Sequence, residues 1–221
     1  MKTKNIFCVF LTAIFVLGTM AMNAQTKIYV YKTDGTTDEY NIADIDSISF
    51  TAPEKVDYSP LIVNEIDGNF KFVEIYNSGA EDISMKGVTL DRNNGKSSWT
   101  GTAGDVIPAG SYRLVAFSGA TTEVTSNPAY VGWTVSTGIS ASQGLIIALI
   151  DPDGNVINGF RRGDDTNLGQ NNSVTVCTTG SYSRMSDGTW VYAEQTPGEA
   201  NGTPIGEIGD GTAPDGYSIL P

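Results

Sequence analysis

The sequence predicts an all-β fold, a β-sandwich preceded by a small N-terminal β-hairpin unit. Three observations carry that prediction. From Leu61 onward short strand-like runs recur with Gly, Asp, Asn or Pro turn signals between them. No segment sustains the 3.6-residue apolar period of a helix. Residues 145–150, Leu-Ile-Ile-Ala-Leu-Ile, are apolar on both faces, as a central strand covered on both sides requires.

Residues 1–24 read as a secretory signal: Lys2 and Lys4 form a basic start, 6–22 is largely apolar, and Ala24 offers a small residue before a cut at Gln25. The apolar run is short for a membrane span and is interrupted by Thr12, Gly18 and Thr19. Cys8 follows Asn5-Ile6-Phe7 too early to be an acylated cysteine. The expectation is an exported chain, periplasmic, cell-surface or extracellular, with no membrane span after cleavage. Residues 25–52 form the small β unit: 27–32 alternates with period two, Asp34-Gly35 turns, and 37–42 returns. A third run, 45–50, offers Ile48 and Phe50 as buried positions. A linker at 53–59 leads to the sandwich at 60–201. Its strands are expected at 61–66, 71–77, 87–92, 97–100, 111–118, 130–135, 144–150, 155–161, 181–185 and 189–192. Asp151-Pro152-Asp153-Gly154 turns the central strand into its successor. The tail, 202–221, is acidic, rich in Gly and Pro, and expected to be flexible.

Composition removes whole classes of chemistry. Cleavage leaves 11 Lys and Arg against 25 Asp and Glu, a net charge of −14. Such a surface repels phosphates, so no direct nucleic-acid binding is expected, while cations, basic peptides and neutral glycans remain open as partners. Histidine is absent, which removes Ser-His and Cys-His catalysis and histidine-ligated zinc. Only Cys177 survives the cut, so no intramolecular disulfide forms; in Val176-Cys177-Thr178 it reads as a small core residue. No Gly-x-Ser-x-Gly elbow, phosphate-cradling loop or Cys-x-x-Cys pair is present. The chain reads as a non-enzyme.

One ordered set of motifs reaches further. It runs Val63-Asn64-Glu65-Ile66, then Lys71-Phe72-Val73-Glu74-Ile75-Tyr76-Asn77, then Met85-Lys86-Gly87-Val88-Thr89-Leu90. Val106-Ile107-Pro108-Ala109-Gly110 follows before a strand, and the Ala148-Leu149-Ile150-Asp151 hairpin comes last. This order resembles the lamin-tail domain, an immunoglobulin-like β-sandwich known from nuclear lamins and from many secreted bacterial proteins. Ser181-Tyr182-Ser183-Arg184 and Thr196-Pro197-Gly198-Glu199-Ala200-Asn201 are similar to the closure of bacterial members, extending the likeness over about residues 58–201. The rod, basic import run and prenylation box of lamins are absent, so their nuclear roles are not implied. For a secreted bacterial member the resemblance implies a cell-surface or extracellular module, sometimes appended to nucleases or other hydrolases, with no established catalytic residues.

The candidate sites follow from residue chemistry. Glu65 and Glu74 sit on neighbouring strands, and a buried carboxylate needs a partner; an ion pair with Arg184 or Arg113 is expected, with an acid–base or cation-binding pair as the alternative. Asp151, Asp153 and Asn155 place oxygens at alternate positions, as half a calcium loop does, although Arg162 stands where a twelfth-position glutamate belongs; the expectation is a plain turn. No cofactor is expected, calcium being the alternative. Asp164, Asp165 and Asn167, and Glu207, Asp210 and Asp215, read as solvated acidic loops. Trp99 and Trp190 are expected to pack at sandwich edges. Trp133, with Tyr130, is the expected ligand contact, because it follows the longest loop and an indole face suits a sugar ring. The sequence therefore points to a secreted, non-catalytic binding or surface-interaction module whose partner is a protein or glycan at or beyond the cell surface. If loops 119–143 and 163–180 share one end, that end is the expected contact surface. The alternatives are a carboxylate- or calcium-dependent hydrolase on Glu65 and Glu74, and a structural surface component assembling by strand addition.

Overall fold

In the computed structural model, residues 26–48, 55–163, 168–170 and 180–206 are described, and the chain divides into two units, Met1–Glu54 and Lys55–Pro221. In the first unit, β1 (Lys27–Tyr31) pairs antiparallel with β2 (Thr37–Asn41). Their turn needs Gly35 at φ +84°, and Asp34 Oδ1 accepts from Thr36 N at 2.9 Å and Thr36 Oγ1 at 2.6 Å. Ion pairs Lys27–Glu39 and Lys32–Asp38 tie the strands. Ile48, expected inside, is 63% exposed: two strands offer no second layer to bury it against. Phe50 lies outside the described residues.

In the second unit the strands are β3 (Leu61–Asp67), β4 (Phe72–Asn77), β5 (Ile83–Ser84), β6 (Thr89–Arg92), β7 (Ser97–Thr100), β8 (Val106–Ile107) and β9 (Tyr112–Phe117). After the one-turn helix α1 (Thr122–Thr125) come β10 (Tyr130–Val135), β11 (Leu145–Ile150), β12 (Val156–Arg162), β13 (Ser181–Arg184), β14 (Trp190–Ala193) and β15 (Pro204–Gly206). One sheet runs β10-β9-β4-β3-β13-β14-β15, the facing sheet β12-β11-β6-β7, and β5-β8 forms a small pair beside them. All pairings are antiparallel except β10 with β9. Inward-facing residues interdigitate between the sheets: Val63, Ile66, Val73, Ile75, Val115 and Phe117 from one, Leu90, Leu145, Ile147, Leu149 and Phe160 from the other. The apolar strand β11 is central, and Ile146 and Ala148 on its second face are buried as well. Pro204–Gly206, expected in the tail, adds an edge strand to β14.

Both flanks of the sandwich are sealed by side chains. On one flank Trp133 of β10 stacks on Trp99 of β7 at 4.3 Å. On the other, β13 pairs with β3 only at Glu65 and Ile66, so the backbone groups of Leu61 and Val63 lack a neighbouring strand there. Asn158 of β12 fills the gap: its Oδ1 accepts from Val63 N at 2.9 Å and its Nδ2 donates to Leu61 O. One amide side chain thus replaces a stretch of backbone pairing.

The long segment 119–143 is not a free loop. It lays α1 over the outer face of β9 and β4, where Phe72, Leu114, Ala116, Val124 and Ala129 make a second small core, and then supplies β10. Its last part is pinned at one end of the sandwich. Gly68 allows the β3–β4 turn to approach the backbone of Ser140 and Ala141 so closely that no β carbon fits. Lys71 Nζ donates to Ile139 O at 2.9 Å. The buried Arg162 donates from Nε to Gln143 O at 2.7 Å and from Nη2 to Ser140 O, with its guanidinium 4.8 Å from the Tyr182 ring centre. Leu168 and Gly169 of the second long loop meet Gly144 at this same end.

Asn158→Ala leaves two backbone groups of β3 without partners and is expected to cost about 2 kcal/mol. A denaturant midpoint unchanged from the parent chain would show that these bonds contribute nothing.

Candidate functional site

A β-bulge creates the most unusual chemistry in the molecule. In the β3–β4 pair, Val63 faces Ile75 and Glu65 faces Glu74, leaving Asn64 as the extra residue. Strict alternation would put Glu65 on the face of Leu61 and Val63, toward the core. The bulge shifts the phase by one, so Ile66 turns inward and Glu65 turns outward, opposite Glu74. Both carboxyls are 0% exposed.

What covers them is the segment between β14 and β15. Thr196 N donates to Glu65 at 3.1 Å to Oε1 and 3.3 Å to Oε2, and Thr196 Oγ1 donates to Oε2 at 3.2 Å. Gly198 N donates to Glu74 Oε2 at 2.6 Å, and Asn64 Nδ2 donates to Glu74 Oε1 at 2.7 Å. Asn127 Nδ2 holds Pro197 O at 2.6 Å. Asn201 Nδ2 reaches Asn64 O at 3.0 Å and Arg184 O at 2.6 Å. The roles of Thr196, Gly198 and Asn201 in Thr196-Pro197-Gly198-Glu199-Ala200-Asn201 follow from these contacts. Gly198 sits at φ +86° against Asn127, where a β carbon would meet Oδ1 at 2.7 Å. The motif is a strap across the outer face of the sheet, and the two glutamates are its anchors.

Burial dominates their ionisation. Loss of hydration pushes the Glu65 carboxyl up to about 7, against the opposing effect of hydrogen bonds from Ser181 and Thr196. Burial, and then the neighbouring charge of Glu65, hold Glu74 well above the usual carboxylate range. Burial also raises Asp67 beside them.

The expected ion pair does not form. Arg113 pairs in register with Ile75, on the core face of the sheet and opposite to Glu74; its Nη1 donates to Tyr112 O at 2.9 Å. Arg184 ends β13 and leaves its neighbour Ser183 opposite Glu65. A hydrolase built on the two carboxyls would need them on an open cleft, and here the strap closes over both.

The expected ligand contact is also corrected. Trp133 is 3% exposed, sits in the main core, and donates from Nε1 to Asp105 Oδ1 at 2.7 Å. Its neighbour Tyr130 packs against the second small core. The loop before Trp133 becomes part of the sheet, which turns the indole inward. Asp151 spends its carboxylate on its own turn: Oδ1 accepts from Asp153 N at 2.9 Å and Asn155 N at 2.8 Å, and Oδ2 from Asn155 Nδ2 at 3.0 Å. Asp153 pairs with Lys55 at 2.9 Å. Residues Asp164, Asp165, Asn167, Cys177, Glu207, Asp210 and Asp215 lie outside the described residues.

Sequence reasoning missed the concavity beside the strap. A cleft of about 350 Å³ opens over the outer face of β3. Ile62 and Asn64 of β3, Tyr76 and Tyr112 line it on one side, Arg184, Met185, Ser186 and Gly188 on the other, with Ala200 and Asn201 of the strap. Tyr76 and Tyr112 are cross-strand partners stacked at 4.5 Å. The only signal for it was the placement of an aromatic two residues after Glu74, on the same face.

The ionisation of the anchors has a measurable sign. Between about pH 4.5 and 7 the folded chain keeps a proton on Glu65 that the unfolded chain has released, so this stability is complete below pH 4.5 and lost as pH rises through 7. Glu65→Gln is expected to remove on the order of 3 kcal/mol of that pH dependence, while Glu65→Ala lowers the midpoint at every pH. Thermal melts at pH 5 and pH 8 check both; equal slopes for the parent chain and Glu65→Gln would show that Glu65 ionises normally.

No curated protein matches this chain. A family model described as the Lamin Tail Domain matches residues 54–164, about half of its length. That span carries β3 to β12, while β13 to β15 complete the same sheet beyond it. The ordered strands and the match over the same residues establish that this chain belongs to the lamin tail domain family of immunoglobulin-like interaction modules.

Proposed function

We propose that the chain is exported and acts outside the cytoplasm as a non-catalytic recognition module, with its ligand held in the cleft between Tyr76 and Arg184. The observation that carries this reading is the cleft itself. It is a concave site at the small end of the range used for ligands, and its walls are held from below. Asn64 joins the buried Glu74 to Asn201 at the cleft end, through 2.7 Å and 3.2 Å contacts. A site whose floor is fixed by buried hydrogen bonds loses little freedom when a ligand arrives. Lys2, Lys4 and the apolar run ending before Ala24 support export. The two carboxyls that a hydrolytic reading would use are structural anchors, which supports a binding role for the sheet's outer face.

A second reading concerns the N-terminal unit. Tyr29, Val30, Tyr31, Tyr40, Ile42 and Ile48 are all exposed, and among the described residues β1 and β2 pair only with each other. Open edges with apolar side chains favour strand addition to a second chain. Light scattering with and without residues 27–50 tests it, an unchanged mass arguing against assembly.

Screening the exported chain on glycan and peptide arrays tests the main reading. Tyr76→Ala is expected to reduce binding about tenfold or more while lowering the melting temperature only by the few degrees that loss of the cross-strand stack implies; full retention of binding by this variant would remove the cleft from the binding surface.

A further inference from the structure

Resting on the reading that the cleft is the ligand site, we infer that its ligand is an acidic saccharide, one sugar ring lying on Tyr76 and its carboxylate held by Arg184. The ring geometry comes first. Across the sheet, Tyr112 of β9, Tyr76 of β4 and Ile62 of β3 stand in register. The Tyr76 and Tyr112 planes are 21° apart, so Tyr112 backs one face of Tyr76. Tyr76 lines the cleft together with Ile62, its register partner on β3. A backed aromatic face over an aliphatic floor offers flat apolar area at a fixed position, which suits the C–H face of a pyranose.

The opposite wall supplies charge. Arg184 lines the cleft, with Nη2 against the β13–β14 turn, 3.7 Å from where a β carbon on Gly188 would stand. Among the described residues its guanidinium has no ion-pair or hydrogen-bond partner. Asp187 in the same turn is committed to Thr189 N at 2.9 Å and Thr189 Oγ1 at 2.7 Å. The chain's formal net charge of −12 opposes an anionic ligand at long range, so the preference rests on short-range contact: a half-buried guanidinium left unpaired in a cleft binds a carboxylate through two parallel N–H donors. Both Nδ2 groups of Asn64 and Asn201 are committed to Glu74, to each other and to Arg184 O, so what these two amides offer a ring hydroxyl is the remaining acceptor capacity of their Oδ1 atoms.

The backbone argues against an extended peptide. Strand-adding peptides need an unpaired edge. β4 is paired on both sides, and β3 is completed by β4, β13 and the Asn158 side chain. Recognition therefore falls to side chains: one ring face, two amide oxygens and one guanidinium.

The test uses the full exported chain and titration calorimetry with three probes: a galacturonic acid trisaccharide, its neutral galactose counterpart, and a hexapeptide rich in Asp and Glu. The acidic sugar is expected to bind about tenfold tighter than the neutral one, and more weakly at high salt. Arg184→Gln should bring the two sugars to equal affinity, while Tyr76→Ala should lose both. Equal binding of the two sugars by the parent chain overturns the acidic preference and leaves the cleft reading standing. Tighter binding of the peptide than of either sugar overturns the saccharide assignment. Sugar binding that survives Tyr76→Ala overturns the cleft reading itself.

Discussion

Two buried carboxyls, facing each other across one strand pair, hold the outer layer of this molecule in place. Glu65 and Glu74 accept hydrogen bonds from Thr196 and Gly198, more than 120 residues away in sequence, and among the described residues no basic side chain pairs with them. A buried ion pair would carry its own desolvation cost. A pair of protonatable carboxyls avoids much of it by remaining neutral over the range where burial outweighs hydration. Burial favours the neutral form and the N–H donors favour the ionised one, so how firmly these carboxyls hold the strap depends on pH.

The dependence runs outward from that point. The strap they fix joins β14 to β15, covers the face on which Phe72 and Leu114 build a second core, and ends at Asn201, which closes the cleft. Asn64, the bulge residue, links the two levels, donating to Glu74 below and bonding Asn201 above. One irregular residue in β3 thus places the anchors on the outer face and shapes the site above them. The main core between the sheets is conventional and carries the stability on which these features rest.

The long connection 119–143, which looked functional, is structural. At the far end of the sandwich Arg162, Lys71 and Gly68 pin residues 139–143 down, and Trp133 seals a flank against Trp99. Length drew attention to these segments, but a long connection can also be long because it adds a strand and a lid to a sheet. The concave surface arises instead from side chains on regular strands, where Tyr76 and Tyr112 stand in register above Ile62.

The sequence by itself determined the longer strands of the sandwich, because a period of two and an apolar run such as 145–150 are local properties that burial on one or two faces imposes; the short β5, β8 and β15 carry no such pattern. It also determined the hairpins at Asp34-Gly35 and Asp151–Gly154, where positive φ or a side chain bonding its own turn is required. The ordered motifs, together with the spacing of those strands, made the family legible. Tertiary structure alone decided where Glu65 points, because a single extra residue in the register reverses every later side chain and leaves no mark in the residue pattern. It also decided that Trp133 is buried and that Glu65 and Glu74 meet a strap and not an arginine. Those outcomes depend on which distant backbone arrives above a face, and contacts between residues separated by most of the chain have no local signature.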